Sequence, residues 1–284
     1  MDARTAAILA EARRILHVPW TPDVLRALAA HPAYLALVWR SLGPSMATGG
    51  FLGSARYVME MARAAVREVY EPILTPETLR QRGLTDGDLA AAAAVLEAFS
   101  FVAPQLLLAV AALREAFDWE QVGGKGRPEP REVTEEERRM ESLAAVPLAD
   151  DEIDPALAPV LAHVRAVLHL PFVPDLYRAL ARWPALVREA WEELQHLPSY
   201  APYRRRGRAL VYYSLAGSKF LAVPLRANGA ALREAGMAEG EIDAVRETTK
   251  TFLTLLSTLT LTTAALERAL DVMPPPLEGP PPRR

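Results

Sequence analysis

Two aspartates, Asp23 and Asp175, occupy the same local setting. Each directly follows a proline, stands three residues after an aromatic side chain (Trp20 or Phe172), and precedes an arginine by three residues (Arg26 or Arg178). A carboxylate beside an aromatic wall can serve as a general base when burial raises its pKa, so Asp175 is a candidate catalytic residue. The arginines, one helical turn on, can pair with their own aspartates at i,i+3 or hold a substrate carboxylate through the guanidinium fork. The simpler reading of both aspartates is N-capping, in which each accepts the free N–H groups of the helix it begins.

Other chemistries are poorly represented. The chain has no cysteine, which excludes disulfides, thiolate nucleophiles and Cys-based metal or redox sites. Its five histidines lack an H-E-x-x-H spacing, and His17 and His169, at matching positions, read as helix starts, so no metal is expected. P-loop, G-x-G-x-x-G and G-x-S-x-G patterns are missing, and no cofactor is expected. A net charge of −3 leaves no electrostatic footprint for nucleic acid. The N-terminus is charged from its second residue and lacks an apolar core, so a cytoplasmic protein is expected. From Leu89 to Leu113 the only formal charge is Glu97, a length that could span a membrane. Its alanine-rich start and Pro104 favour a helix enclosed by other helices, and no membrane partner is expected.

The elements that position the aspartates are written twice. "LHVPWTPDVLRALAAHP" (16–32) returns as "LHLPFVPDLYRALARWP" (168–184), and the segments around Gly83 and Gly236 match at nearly the same offset. Apolar residues at three- and four-residue spacing predict helices throughout, and no β-alternation is long enough for a sheet. The expected fold is all-α, a tandem pseudo-twofold repeat or pseudo-dimer with residues 1–117 and 151–272 as repeats. Residues 118–150 form a linker, mobile around Gly123 to Pro130, and 273–284 a Pro-rich, polyproline-like tail. A helix from about Asp151 leads into the second repeat. On the last long helix, Thr251, Thr254, Thr258 and Thr262 form a stripe that either bonds back to its own carbonyls or lines an inter-repeat cleft.

The tandem "VPW…R" and "YRALARWP" stretches, together with the Gly83/Gly236 segments, resemble the group I (DL-) 2-haloacid dehalogenases over almost the whole chain. The resemblance implies an all-helical pseudo-dimer whose cleft holds an aspartate that activates water. The water attacks the substrate Cα directly and expels halide, without a covalent ester and with either enantiomer. An asparagine positions the water and aromatic residues wall the site. Carried onto this chain, the wall tryptophan falls on Trp20 and the arginine on Arg26. The aspartate belongs immediately before Tyr177, where Leu176 stands and Asp175 is one position early. The asparagine belongs at Ala103, and an aromatic hydroxyl is lost near Leu266. A shift of one residue turns a helical side chain by about 100°, so the expectation is trace activity, with a non-catalytic small-molecule binder as the alternative. The expected pocket comprises Trp20, Asp23, Ala103, Phe172, Leu176, Tyr177, Thr258 and Leu266, with Arg26 and Arg178 as carboxylate binders. A small carboxylic acid or apolar small molecule is the expected partner, and a homodimer is compatible with the sequence.

Overall fold

A computed structural model describes residues 1–125, 132–143 and 146–276. Its helices are α1 (Ala3–Leu16), α2 (Asp23–Leu28), α3 (Pro32–Met46), α4 (Gly49–Val69), α5 (Pro76–Gln81) and α6 (Asp86–Asp118), then α7 (Glu135–Ser142). They continue with α8 (Ala158–Leu168), α9 (Asp175–Leu180), α10 (Pro184–Leu194), α11 (Ala201–Gly217), α12 (Gly229–Glu234) and α13 (Glu239–Ala269). Among the described residues there is no sheet, only one isolated bridge between Val122 and Leu225. The fold is all-α. α1–α6 and α8–α13 run through the same order of long and short helices.

Matching sequence produces matching stops. Gly83 and Gly236 take φ of 95° and 86° after α5 and α12. In each case the next N–H reaches five residues back, Leu84 to the Leu79 carbonyl and Met237 to the Leu232 carbonyl, both at 3.1 Å. This is the Schellman ending, whose left-handed position suits glycine. His17 and His169 do the same after α1 and α8, with φ of 53° and 54°. They therefore end helices, correcting the expectation that they start them. α6 begins with a capping box between Thr85 and Asp88.

α6 and α13 form the most extensive helix pair, and α4 and α11 pack against both. The short helices cross over: α2 of the first half lies on α13, and α9 of the second half on α6. Each half thus places its Pro-Asp turn on the other half's long helix. α6 is apolar and long enough to cross a membrane, but most of it is buried inside the protein. It runs unbroken through Pro104, where the Gln105 amide donates to the Phe101 carbonyl at 2.9 Å.

Two expectations about the connections change. Gly123 and Gly124 are pinned, not loose: Gly124 N–H donates to the Leu221 carbonyl at 2.8 Å, and a Cβ on Gly123 would fall 2.5 Å from that of Leu221. Residues 126–130 of the expected mobile stretch, and 277–284 of the tail, lie outside the described residues. The connection also carries α7, whose start is fixed by a Thr134–Glu137 capping box and whose Glu137 and Glu141 hold His17 at 3.2 and 2.7 Å. No helix starts at Asp151. A 3-10 turn spans Asp150–Glu152, another spans Pro155–Leu157, and α8 begins only at Ala158.

Candidate active site

The Pro-Asp turns meet where the halves cross. Pro22 and Pro174, in extended conformation, precede the first helical residues Asp23 and Asp175, and neither proline contributes a side-chain cap. The aspartates do not cap their own helices either, which corrects the simplest sequence reading. Each accepts from the other's backbone: Asp23 N–H donates to Asp175 Oδ2 at 2.8 Å, and Asp175 N–H to Asp23 Oδ2 at 2.7 Å. The free N–H at the start of each helix is thereby satisfied across the seam.

Two guanidinium groups balance the two carboxylates. Arg26 Nη2 donates to Asp175 Oδ1 at 2.8 Å and also to Asp23 Oδ1. Arg178 Nη2 donates to Asp175 Oδ1 at 2.6 Å but stays 3.9 Å from Asp23 Oδ1. Burial, and then the adjacent Asp175 charge, raise Asp23 from the ordinary carboxylate range to about 7, against the lowering effect of the arginines and the Asp175 N–H. The i,i+3 pairing read from the sequence is present in both copies. Arg26 and Arg178 are thus engaged by aspartates, and Arg178 Nε is buried without a protein partner.

The pair separates two spaces. Inward lies a small apolar cavity of about 30 Å³ lined by Trp20, Asp23, Phe99, Ala103, Asp175 and Phe252 with leucines of α13. Trp20 stacks on Phe99 with centroids 5.5 Å apart, and its indole N–H is buried without a protein partner. Outward lies a groove of about 870 Å³ that includes Asp23, Arg26, Phe172, Arg178 and Phe252, with Asp150, Asp151 and Asp154 on one side. Phe172 stacks on Phe252 at 5.8 Å. Asp23 and Phe252 border both spaces.

The structure therefore assembles Trp20, Asp23, Ala103 and Asp175 around the cavity, with Phe172 on the groove. Four expected pocket residues lie elsewhere. Leu176 is fully buried and borders neither space, because its side chain points about 100° around α9 from Asp175. Tyr177 packs edge-on against Trp191 at 5.7 Å. Thr258 donates to the Thr254 carbonyl at 3.1 Å, and Thr254 bonds back to Lys250, so much of the threonine stripe serves its own helix. Leu266 is buried in the α13 core, next to Glu267. Phe99 and Phe252 were missed. Phe99 precedes Ala103 by four residues, and Phe252 shares spacing with Leu255, Leu256 and Leu259, both one-face patterns readable in the sequence.

A buried acid pair at the crossing of two helical halves defines a class of all-helical protein with its site at an internal seam. The family model for halocarboxylic acid dehydrogenase DehI matches residues 19–170, more than half of the chain, and the chain belongs to that family. An (R)-2-haloacid dehalogenase from Pseudomonas putida is 22% identical over 262 residues, covering 92% of this chain and 87% of that protein. A configuration-inverting 2-haloacid dehalogenase from Alcaligenes xylosoxydans xylosoxydans is 29% identical over 218 residues, covering 70% and 67%. A crystal structure of a D-2-haloacid dehalogenase mutant superposes with a TM-score of 0.86 at 22% identity, covering 95% of this chain and 93% of that one. The complex of a D-2-haloacid dehalogenase with L-LA gives 0.85 at 22%, covering 95% and 94%. At that identity the structures establish the shared fold.

Proposed function

We propose that this chain hydrolyses small 2-halocarboxylic acids at the seam, by direct attack of water on the substrate Cα. The observation that carries this reading is the carboxylate pair Asp23–Asp175 opening on an apolar cavity beside Trp20, in a chain of this family. In the reaction the water oxygen bonds to Cα, the carbon–halogen bond breaks with its electron pair on the halide, and the water proton passes to the pair. The inner cavity of about 30 Å³ has the volume of a single water but an apolar surface, so the attacking water is expected on the groove side of the pair, where Asp23 lies. The groove beyond Asp23 and Phe252 offers the approach for the organic acid. Trp20 contributes its ring to the apolar cavity wall. Asp175 borders the cavity directly, so the reading needs no carboxylate at Leu176. Ala103 supplies no amide, and the orientation it would have given the water is expected to lower the rate rather than abolish it.

The Pseudomonas putida relative is named for the (R) configuration, and we propose that the (R) enantiomer is turned over here. Halide release from (R)- and (S)-2-chloropropionate tests both points. Release from the (R) acid that disappears in the double variant Asp23→Asn with Asp175→Asn is the expected result, and the (S) acid tests the broader acceptance that the resemblance implies. No release from either acid by the wild-type protein would refute the reading and leave a binder.

A further inference from the structure

We propose that Asp23 is the member of the pair that receives the proton taken from water, and that Asp175 is its positioning partner. This rests on the proposed hydrolytic function, but the asymmetry behind it is a property of the free protein. The two aspartates exchange equivalent backbone hydrogen bonds at 2.8 and 2.7 Å, so the difference comes from the arginines. Asp175 Oδ1 lies within hydrogen-bond distance of two guanidinium groups, Arg26 at 2.8 Å and Arg178 at 2.6 Å. Asp23 accepts from Arg26 alone, with Arg178 at 3.9 Å. Charge on Asp175 is thus held by one more cationic donor than charge on Asp23.

Placement gives the same assignment. Asp175 borders the inner cavity and not the groove, whereas Asp23 borders both the cavity and the solvent groove. A proton accepted by Asp23 can leave to solvent through the groove without crossing the core, which regenerates the base for the next turnover. The charged groups facing Asp23 are Asp175 and Arg178 from α9 and Arg26 from its own helix, and Asp150 approaches only through Arg178 at 3.8 Å. The upward displacement of Asp23 to about 7 agrees with this order. It places the group near the pKa best suited to a general base at neutral pH.

The test titrates the aspartate carboxyl carbons of the wild-type protein by ¹³C NMR and measures halide release from (R)-2-chloropropionate against pH, each repeated with Asp23→Asn and Asp175→Asn. The wild type is expected to show one carboxyl titrating near neutrality and a rate that rises with deprotonation over the same range. In Asp23→Asn that titration should vanish and the rate fall about 10²–10⁴-fold. In Asp175→Asn the titration should persist but move to lower pH, because the like charge is gone, and the acid limb of the rate profile should follow it. Asparagine can still accept the Asp23 N–H, so Asp175→Asn should keep the crossed caps and remain informative even if Asp23→Asn does not fold. A titration that stays unmoved near neutrality in Asp175→Asn, or one that survives in Asp23→Asn, would overturn the assignment. So would an Asp23→Asn enzyme with wild-type rate and pH profile. A wild-type protein that releases no halide would refute the hydrolytic reading, while the NMR titration would still decide between the aspartates.

Discussion

Asp23 and Asp175 lie 152 residues apart, and each carboxylate accepts the other's backbone N–H, at 2.8 and 2.7 Å. One contact therefore closes two helix starts, joins the two halves of the chain and concentrates four charges at the border of an apolar cavity. Joined to Arg26 and Arg178, the pair is electrically balanced. Removal of one member leaves a buried charge without its partner.

This arrangement predicts a stability difference between the two smallest changes at position 175. An ordinary cap is worth about 0.5–2 kcal/mol on replacement by alanine. Asp175→Ala also leaves two arginines short of a carboxylate, and breaking a buried pair costs about 3–5 kcal/mol. Both variants lose that charge, so urea unfolding should show a loss beyond the capping range for each, larger for Asp175→Ala because it also removes the acceptor of the Asp23 N–H. Equal losses for both would contradict the crossed cap.

The raised Asp23 makes stability depend on pH in a stated direction. Its folded pKa of about 7 lies above the ordinary value of 3.8, so the folded state binds the proton more tightly than the unfolded chain. That contribution is fully present below about pH 4 and is lost as pH rises through about 7. The difference in unfolding free energy between wild type and Asp23→Asn, followed across this range, isolates it from the other carboxylates. A difference that is flat or grows in the opposite sense would exclude a raised Asp23.

A second buried acid gives an independent check of the helix packing. Glu267 on α13 receives Arg63 of α4 at two oxygens, both at 2.8 Å, and the Ser100 hydroxyl of α6 at 2.5 Å. Glu267→Ala is expected to destabilise by about 1.5–3 kcal/mol, because the largely buried Arg63 guanidinium loses two charged hydrogen bonds and keeps only Glu60, at 2.7 Å. The double variant with Arg63→Met should recover part of the loss. A melting temperature unchanged in Glu267→Ala would show that these three helices do not meet as described.

The crossing of short helices over the opposite long helices bears on how the halves fold. α2 rests on α13 and α9 on α6, so each half separated from the other exposes an apolar seam. Residues 1–125 and 132–276, produced together, are expected to copurify as a helical complex. Produced singly, neither should melt cooperatively. A half that does so alone would argue against an interlocked pair.

Much of this fold was legible in the sequence because it depends on local rules. The three- and four-residue apolar spacing, the Thr85 start of α6 and the glycines at 83 and 236 each act within a turn or two of chain. The α7 start was equally local, since Thr134 and Glu137 form a capping box, but the surrounding Gly, Pro and charge made the segment read as linker. The candidate site was legible as a set of residue types: the duplicated Pro-Asp-x-x-Arg turn marks both aspartates and both arginines, and their i,i+3 pairing follows from helical spacing. The crossed bonds were not legible, because whether Asp175 caps its own helix or its counterpart's depends on where α9 packs. The same limit misplaced Leu176, Tyr177, Thr258 and Leu266, whose exposure to the cavity depends on the rotation of α9 and α13 about their axes.

Direct attack on the substrate carbon by water held at the Asp23–Asp175 seam is the step on which the proposed function depends. Its most direct test is a single turnover of (R)-2-chloropropionate, with enzyme in excess, in ¹⁸O-enriched water. The account predicts lactate carrying ¹⁸O in its hydroxyl group from the first turnover, with no label in any peptide containing Asp23 or Asp175. Unlabelled lactate, with ¹⁸O appearing on one of these aspartates, would show that a carboxylate oxygen made the bond and would contradict it.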